Sequence, residues 1–230
     1  MLVVRGKVTE EMSGAALEER MRPYAGVTVD LGAGDGRFAY RYAAAHPDRL
    51  VIAVDPVREN LREMSARAAR KPERGGGANA LFVVASIEQA PPELRGVADE
   101  IYVTLPWGSL MRGLILGQDA IMAAIASMGR DGAALRIVLN TRIFDDPVPI
   151  EVRDLPEVTP DYVRDPLIEA YARHRIDIRE ARWMYADEVA AIGTTWGKRL
   201  SHRAPPRSVL IEATVGAGAD EHGGGGVMGL

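Results

Sequence analysis

Apolar positions along the chain fall into short continuous runs separated by segments of helical spacing. "VTVDLG" (27–32), "RLVIAVD" (49–55), "ALFVVAS" (80–86), "EIYVTL" (100–105) and "ALRIVLN" (134–140) are rich in branched aliphatic side chains, the pattern of strands buried on both faces. "RFAYRYAAAH" (37–46) reads as a helix stopped by Pro47. "PVRENLREMSARAARK" (56–71) reads as another, with Pro56 early in its first turn, where a missing N–H costs little. Val57, Leu61, Met64 and Ala68 share one face of that helix, and Glu63 and Arg67 form an i,i+4 pair. Strands alternating with helices predict an α/β fold around a parallel sheet covered on both faces.

The two ends depart from this rhythm. "VVRGKV" suggests a small hairpin at the start. "IREARWM" and "RSVLIEATV" bracket a helical segment and read as a closing, antiparallel pair. The span 142–160 is proline-rich and acidic and reads as a long linker, a feature that often carries function in compact domains. The tail "GAGADEHGGGGVMGL" has too few side chains to bury to offset its ordering entropy, so 216–230 is expected to be disordered and 1–215 to form the domain.

Composition narrows the function classes. The chain's 230 residues suffice for one substantial core, and 47% hydrophobic with 26% charged residues is ordinary for a globular protein. No apolar run approaches 18 residues, so no membrane span is expected. The N-terminus is too charged for a signal peptide, and the lack of cysteine excludes disulfides and thiolate metal sites; the expectation is a cytoplasmic protein without a metal. A net charge of −4 weighs mildly against a nucleic-acid partner, but the charges are segregated. Positions 58–74 hold six basic and three acidic residues, and 196–215 hold Lys198, Arg199, Arg203 and Arg207 against Glu212 alone, while acidic residues dominate 145–169.

The chemistry concentrates where strands end. "VDLGAGDGR" places Gly32, Gly34 and Gly36 directly after a strand and before a helix, where glycine permits positive φ and close approach of a ligand, and the helix's free N–H groups would face it. A dinucleotide fingerprint needs glycine five positions after the first, and Arg37 stands there instead. The pattern resembles motif I of S-adenosylmethionine-dependent methyltransferases. Asp55, followed by Pro56, ends the second strand, where a carboxylate can take ribose hydroxyls or cap the next helix. "ASIE" (Ala85, Ser86, Glu88) ends the third and can line an adenine, though Glu88 alone could be a solvated loop charge. "LPWGSL", with Leu105, Trp107 and Ser109, ends the fourth and puts a large aromatic on a loop, with Pro106 and Gly108 forbidding a regular helix there. All lie at the carboxyl ends of strands, where open α/β sheets bind ligands.

With these stretches together, "VDLGAGDGR", "DPVRENL", "ARKPERGG", "LPWGSL", "RDLP" and "TTWGKRL", the sequence resembles the 16S ribosomal RNA (adenine-1408-N1) methyltransferases that confer aminoglycoside resistance, over nearly the whole domain. The resemblance implies a Rossmann-like class I fold: a mostly parallel seven-stranded sheet with an antiparallel C-terminal strand and an N-terminal β-hairpin. It implies S-adenosylmethionine as cofactor, held by Asp30, Gly32, Asp55, Ala85, Glu88 and Ser109, with Gly34, Pro56, Ser86 and Leu105 beside them. It implies that Trp107 and Trp196 hold the target adenine with Thr194 nearby, and that the partner is the 30S subunit, met by a monomer. Arg67, Arg70, Lys71, Arg74, Arg153, Lys198, Arg199, Arg203 and Arg207 would hold the RNA. Arginine replaces lysine in the 67–74 stretch, keeping the charge and adding a fork geometry, and either of Thr194 and Thr195 could be the hydroxyl that matters.

Simpler roles stand beside these. Val189, Ile192, Trp196 and Leu200 follow helical spacing, so Trp196 could be core, unless the break at "GTT" (193–195) swings it out. Trp183 reads as core or as a sheet-face residue. His46, His174 and His202 read as solvent-exposed, with no catalytic duty. Two other functions fit the cofactor motif: a small-molecule methyltransferase with 142–160 as its lid, and a non-catalytic RNA-binding module. Methyl incorporation into 30S subunits against small metabolites separates them.

Overall fold

The computed structural model describes residues 1–144, 152–192 and 208–216. The described residues form a nine-stranded sheet. Its centre is parallel: β3 (Gly26–Leu31) lies between β4 (Arg49–Asp55) and β6 (Ala98–Thr104), with β5 (Ala80–Val84) beyond β4 and β7 (Gly129–Asn140) beyond β6. A hairpin of β1 (Leu2–Arg5) and β2 (Val8–Glu11) pairs antiparallel with β5 at one edge. At the other edge β9 (Ser208–Val215) runs antiparallel between β7 and β8 (Ile176–Met184). The full order is β2-β1-β5-β4-β3-β6-β7-β9-β8. This is the expected fold, with the hairpin adding two strands to the expected seven.

Period-two alternation divides the side chains between two faces. Val27, Val29 and Leu31 of β3 and Leu50, Ile52 and Val54 of β4 point into the larger core, against α1 (Gly14–Met21), α4 (Gly108–Leu116) and α5 (Asp119–Met128). Val51 and Ala53 point the other way, into a smaller core with Ala39 and Ala43 of α2 (Arg37–Ala45) and Leu61 and Met64 of α3 (Arg58–Ala68). Thr28, Asp30 and Asp55 share that second face by the same parity, so two carboxylates reach the strand ends on the α2–α3 side.

Several sequence expectations need correcting. Helix α3 starts at Arg58 with Val57 as its cap, so Pro56 precedes the helix and Val57 is 47% exposed rather than core. The described part of the span read as a linker is packed: Val152, Leu155, Val158 and Pro160 are buried, and Arg112 of α4 makes a bidentate ion pair with Asp154. From there α6 (Pro160–Tyr162), a π-helical turn at Val163–Leu167 and α7 (Ile168–Ala172) lead to β8. The two described histidines have partners: His46 stacks on Tyr42 with centroids 4.0 Å apart, and His174 Nε2 lies 2.8 Å from Asp119 Oδ1. Trp183 is a sheet-face residue, 42% exposed on edge strand β8. His202 and the tail beyond Gly216 lie outside the described residues.

Candidate functional site: a cleft at the carboxyl ends of the parallel strands

The carboxyl ends of β3, β4, β5 and β6 open into a cleft of about 600 Å³. Its floor is the turn from Leu31 to Asp35, and Gly32 and Gly34 within it and Gly36 just after it all have positive φ. At Gly36, the cap of α2, an added Cβ would stand 2.8 Å from the Phe82 ring, so the residue is glycine for packing as well as for backbone. Gly34 differs. Its φ of 54° excludes most side chains, yet a Cβ there would meet nothing within 4 Å, because it would project into the open cleft. That is the geometry of a backbone left bare for a ligand. Two of the first-turn N–H groups of α2, expected to face that ligand, are taken by carboxylates of the protein: Arg37 N donates to Asp35 Oδ1 at 3.1 Å, and Ala39 N–H bonds Asp30. Arg37 also pairs with Asp35 and Glu63, tying α2 to α3.

Asp55 fastens the cleft together. Its Oδ2 accepts from Gly34 N at 2.8 Å, and its Oδ1 accepts from Val57 N at 2.9 Å and Asn60 Nδ2 at 3.3 Å. The carboxylate therefore caps the approach to α3 and holds the glycine turn, and it still lines the cleft wall. Burial pushes its pKa up, against the pull of those three hydrogen bonds. Asp30 lies beneath the floor rather than on the wall. It is 1% exposed, and its Oδ2 is the one buried side-chain polar atom among the described residues without a hydrogen bond. Burial, then the nearby charges of Asp55 and Asp35, raise its pKa to about 8. A buried carboxyl with an unused oxygen, below a wall carboxylate and a bare backbone, suits a cationic ligand that also carries hydroxyls.

The far wall comes from the exits of β5 and β6. Ala85 N donates to Asp55 O at 3.2 Å, and Ser86 starts a 3₁₀ turn at Ile87–Gln89. Glu88 bonds the Ser109 hydroxyl across the cleft, which holds its carboxyl below the usual range. After Thr104 the chain turns sharply. Leu105 has φ 51°, a left-handed conformation costly for a branched side chain, and it is held there by its N–H to Val138 O at 2.8 Å and by packing against Val138, Met184, Val189 and Leu210. This turn throws Trp107 to the cleft lip, where it is 58% exposed. The expectation that Gly108 keeps helix away is overturned: α4 begins at Gly108, whose positive φ makes the sharp entry, and Trp107 is its cap.

The cleft thus gathers Gly32, Gly34, Asp55, Pro56, Ala85, Ser86, Glu88, Leu105, Trp107 and Ser109. Sequence reasoning missed Asn60 and Val57, both on the wall; Asn60 sits one helical turn after Asp55-Pro56, a spacing that could have marked it. Of the expected RNA contacts, Arg70, Lys71, Arg74 and Arg153 are exposed, while Arg67 pairs with Glu63 at 2.9 Å. Trp196, Thr194, Thr195, Lys198, Arg199, Arg203 and Arg207 lie outside the described residues.

A Rossmann-like sheet with a glycine turn, an acidic second-strand end and an antiparallel closing strand defines a class I methyltransferase. The variety is set by comparison with known proteins. The family model described as NpmA, 16S rRNA (adenine(1408)-N(1))-methyltransferase, matches residues 2–215, and the chain belongs to that family. A 16S rRNA (adenine(1408)-N(1))-methyltransferase of Streptoalloteichus hindustanus is 39% identical over 198 residues, 86% of this chain and 91% of that protein. One of Escherichia coli is 31% identical, covering 87% of this chain and 92% of that one. A crystal structure of a single-residue variant of the Catenulisporales acidiphilia enzyme with its cosubstrate SAM superposes with a TM-score of 0.88 at 34% identity, covering 96% of this chain and 99% of that one.

Proposed function

We propose that this chain transfers the methyl group of S-adenosylmethionine to N1 of adenine 1408 in the 16S RNA of the 30S subunit, and so confers aminoglycoside resistance. The cofactor's contribution, once bound, is an electrophilic methyl on a sulfonium. Around it, the Gly32–Gly34 backbone accepts close approach, Asp55 offers its remaining acceptor capacity to hydroxyls, and Ser86, Glu88 and Ser109 border the base. N1 of adenine carries a free lone pair at neutral pH, so the residues need only position it, and no general base is required.

The observation that carries this reading is Trp107. Trp107 is an exposed indole on the lip of the cofactor cleft, held out by a strained Leu105 and the Gly108 entry to α4, and this position, more than its exposure, offers it as a surface on which a base can stack. N1 in a helix is hidden in the pairing edge, so the adenine must leave its stack. Stacking on an aromatic ring returns roughly 1–3 kcal/mol per base, and an indole face also favours the cationic product. Trp196 is proposed as the second face and Thr194 as a neighbouring hydroxyl. Arg70, Lys71, Arg74, Arg153 and the 198–207 cations, with Arg67 as a weaker contributor, are proposed to hold the RNA backbone.

The test is Trp107→Ala. Loss of stacking predicts a fall of roughly 5- to 150-fold in kcat/KM on 30S subunits, partial recovery in Trp107→Phe, and cofactor affinity by calorimetry near wild type. Equal rates in the alanine variant would remove the stacking role.

A further inference from the structure

We propose that the groove between the N-terminal hairpin and α3 is a phosphate-binding track for ribosomal RNA, with Lys7 and Arg62 as contacts that neither the motifs nor the cleft point to. This rests on the rRNA substrate proposed above. The groove has a volume of about 480 Å³ and runs along the outer face of α3 from Glu59 to Arg70. Its upper end adjoins Asn60, on the cofactor cleft wall, and its lower end reaches the exposed Arg70–Lys71–Arg74 cluster. An 11-residue helix makes it about 16 Å long.

The groove is built rather than incidental. Gly6 N donates to Ser65 Oγ at 3.0 Å, and Arg58 reaches from α3 to Lys7 O at 2.6 Å and Thr9 Oγ1 at 2.8 Å. Gly6 has φ 62°, and an added Cβ would stand 3.3 Å from the Ala66 Cβ, so the hairpin turn lies directly on the helix. The clamp fixes the backbone of Lys7, and Lys7 and Arg62 both line the groove. Both carboxylates of the groove are engaged: Glu59 with Arg58 at 3.3 Å, and Glu63 with Arg67 at 2.9 Å and Arg37 at 3.1 Å. Lys7, Arg62 and Arg70 are exposed and make no ion pair among the described residues. Three unneutralised cations held along one rigid groove repel each other, and nothing in the packing requires them. A polyanion relieves that repulsion, and this track continues the basic face already assigned to RNA.

The experiment measures binding of the full chain to 30S subunits over a series of salt concentrations, for wild type, Lys7→Ala/Arg62→Ala and Lys7→Arg. Each lost phosphate contact lowers the slope of log K against log salt by about 0.7–0.9, so the double variant loses roughly 25- to 60-fold in affinity at 0.1 M salt. Lys7→Arg keeps wild-type binding, and cofactor affinity and Tm of the double variant stay unchanged. Arg95→Ala, which removes an exposed charge outside the groove, leaves the slope alone. A wild-type enzyme that methylates 30S subunits while the double variant keeps its full slope overturns this inference and spares the function. A wild-type enzyme that neither binds nor methylates 30S subunits overturns both.

Discussion

Asp30 offers a prediction that stands apart from catalysis. Its carboxyl is buried, with one oxygen unbonded, and the fold raises its pKa from the ordinary 3.8 of a free aspartate to about 8. A native carboxyl that keeps a proton the unfolded chain has released binds more protons than the unfolded state, so stability falls as pH rises between those two values. The contribution is present below about pH 4 and is lost progressively up to about pH 8. Each pH unit inside that window costs at most about 1.4 kcal/mol, so moving from about pH 5 to about pH 7 removes up to about 2.7 kcal/mol through this group, equivalent to roughly 5–11 °C of Tm in a domain this size. Asp55, also raised by burial, acts in the same direction. Thermal melts of wild type and Asp30→Asn at pH 5, 6, 7 and 8 isolate the effect, because the asparagine cannot titrate. The difference in Tm between the two should change steadily in favour of the variant as pH rises. Parallel pH profiles would mean that Asp30 is ionised in the fold and that its unbonded oxygen has another explanation. A cationic ligand in the cleft should pull the proton off, so its affinity should rise with pH over the same window in wild type and not in Asp30→Asn.

Gly34→Ala forces a side chain into a left-handed backbone and into the open cleft; strain of about 1–2 kcal/mol should appear as a small drop in Tm, with a much larger loss of cofactor binding by calorimetry. Ser109→Ala removes the hydroxyl that holds Glu88, and about 0.5–1.5 kcal/mol for that bond predicts a roughly 2- to 10-fold weaker cofactor affinity; unchanged affinity would leave the pair without a binding role. Arg112→Ala breaks the ion pair to the exposed Asp154 and should speed limited proteolysis near 152–158 while Tm moves little, since both partners are solvent-facing.

The sheet is legible in the sequence because β3 and β4 have no solvent face. Leu50–Val54 of β4 are five consecutive apolar residues, all buried, a run that no helix of that length would need, and in β3 the polar Thr28 and Asp30 are buried along with their aliphatic neighbours. The first third of β7, "GRDG", is not legible, because its side chains are largely solvent-facing and only Gly129 has a register partner, Ala98 of β6, the pairing with β9 starting at Ala133. Residues 152–160 mislead for the opposite reason. Prolines and acidic residues suggest a solvated strap, but Val152, Leu155 and Val158 repeat every three residues and all are buried. Extending the period of α3 backwards past its cap puts Val57 in the core, at a position where the periodicity no longer holds. At the cleft, the residue types are readable from their positions after strands. The couplings are not: that one carboxylate of Asp55 binds Gly34, Val57 and Asn60 together, or that Leu105 adopts positive φ, follows from tertiary contacts, for Leu105 those with Val138 and Leu210, that no local pattern encodes.

The central claim, that the cleft methylates one ribosomal adenine at its pairing edge, is tested most directly by primer extension across 16S RNA from 30S subunits treated with the enzyme and S-adenosylmethionine. A methyl on N1 blocks pairing, so the account predicts a strong reverse-transcription stop one nucleotide short of adenine 1408, present with wild type and greatly weakened with Trp107→Ala. A stop at another base, or methyl incorporation into 30S subunits with no stop, would contradict it.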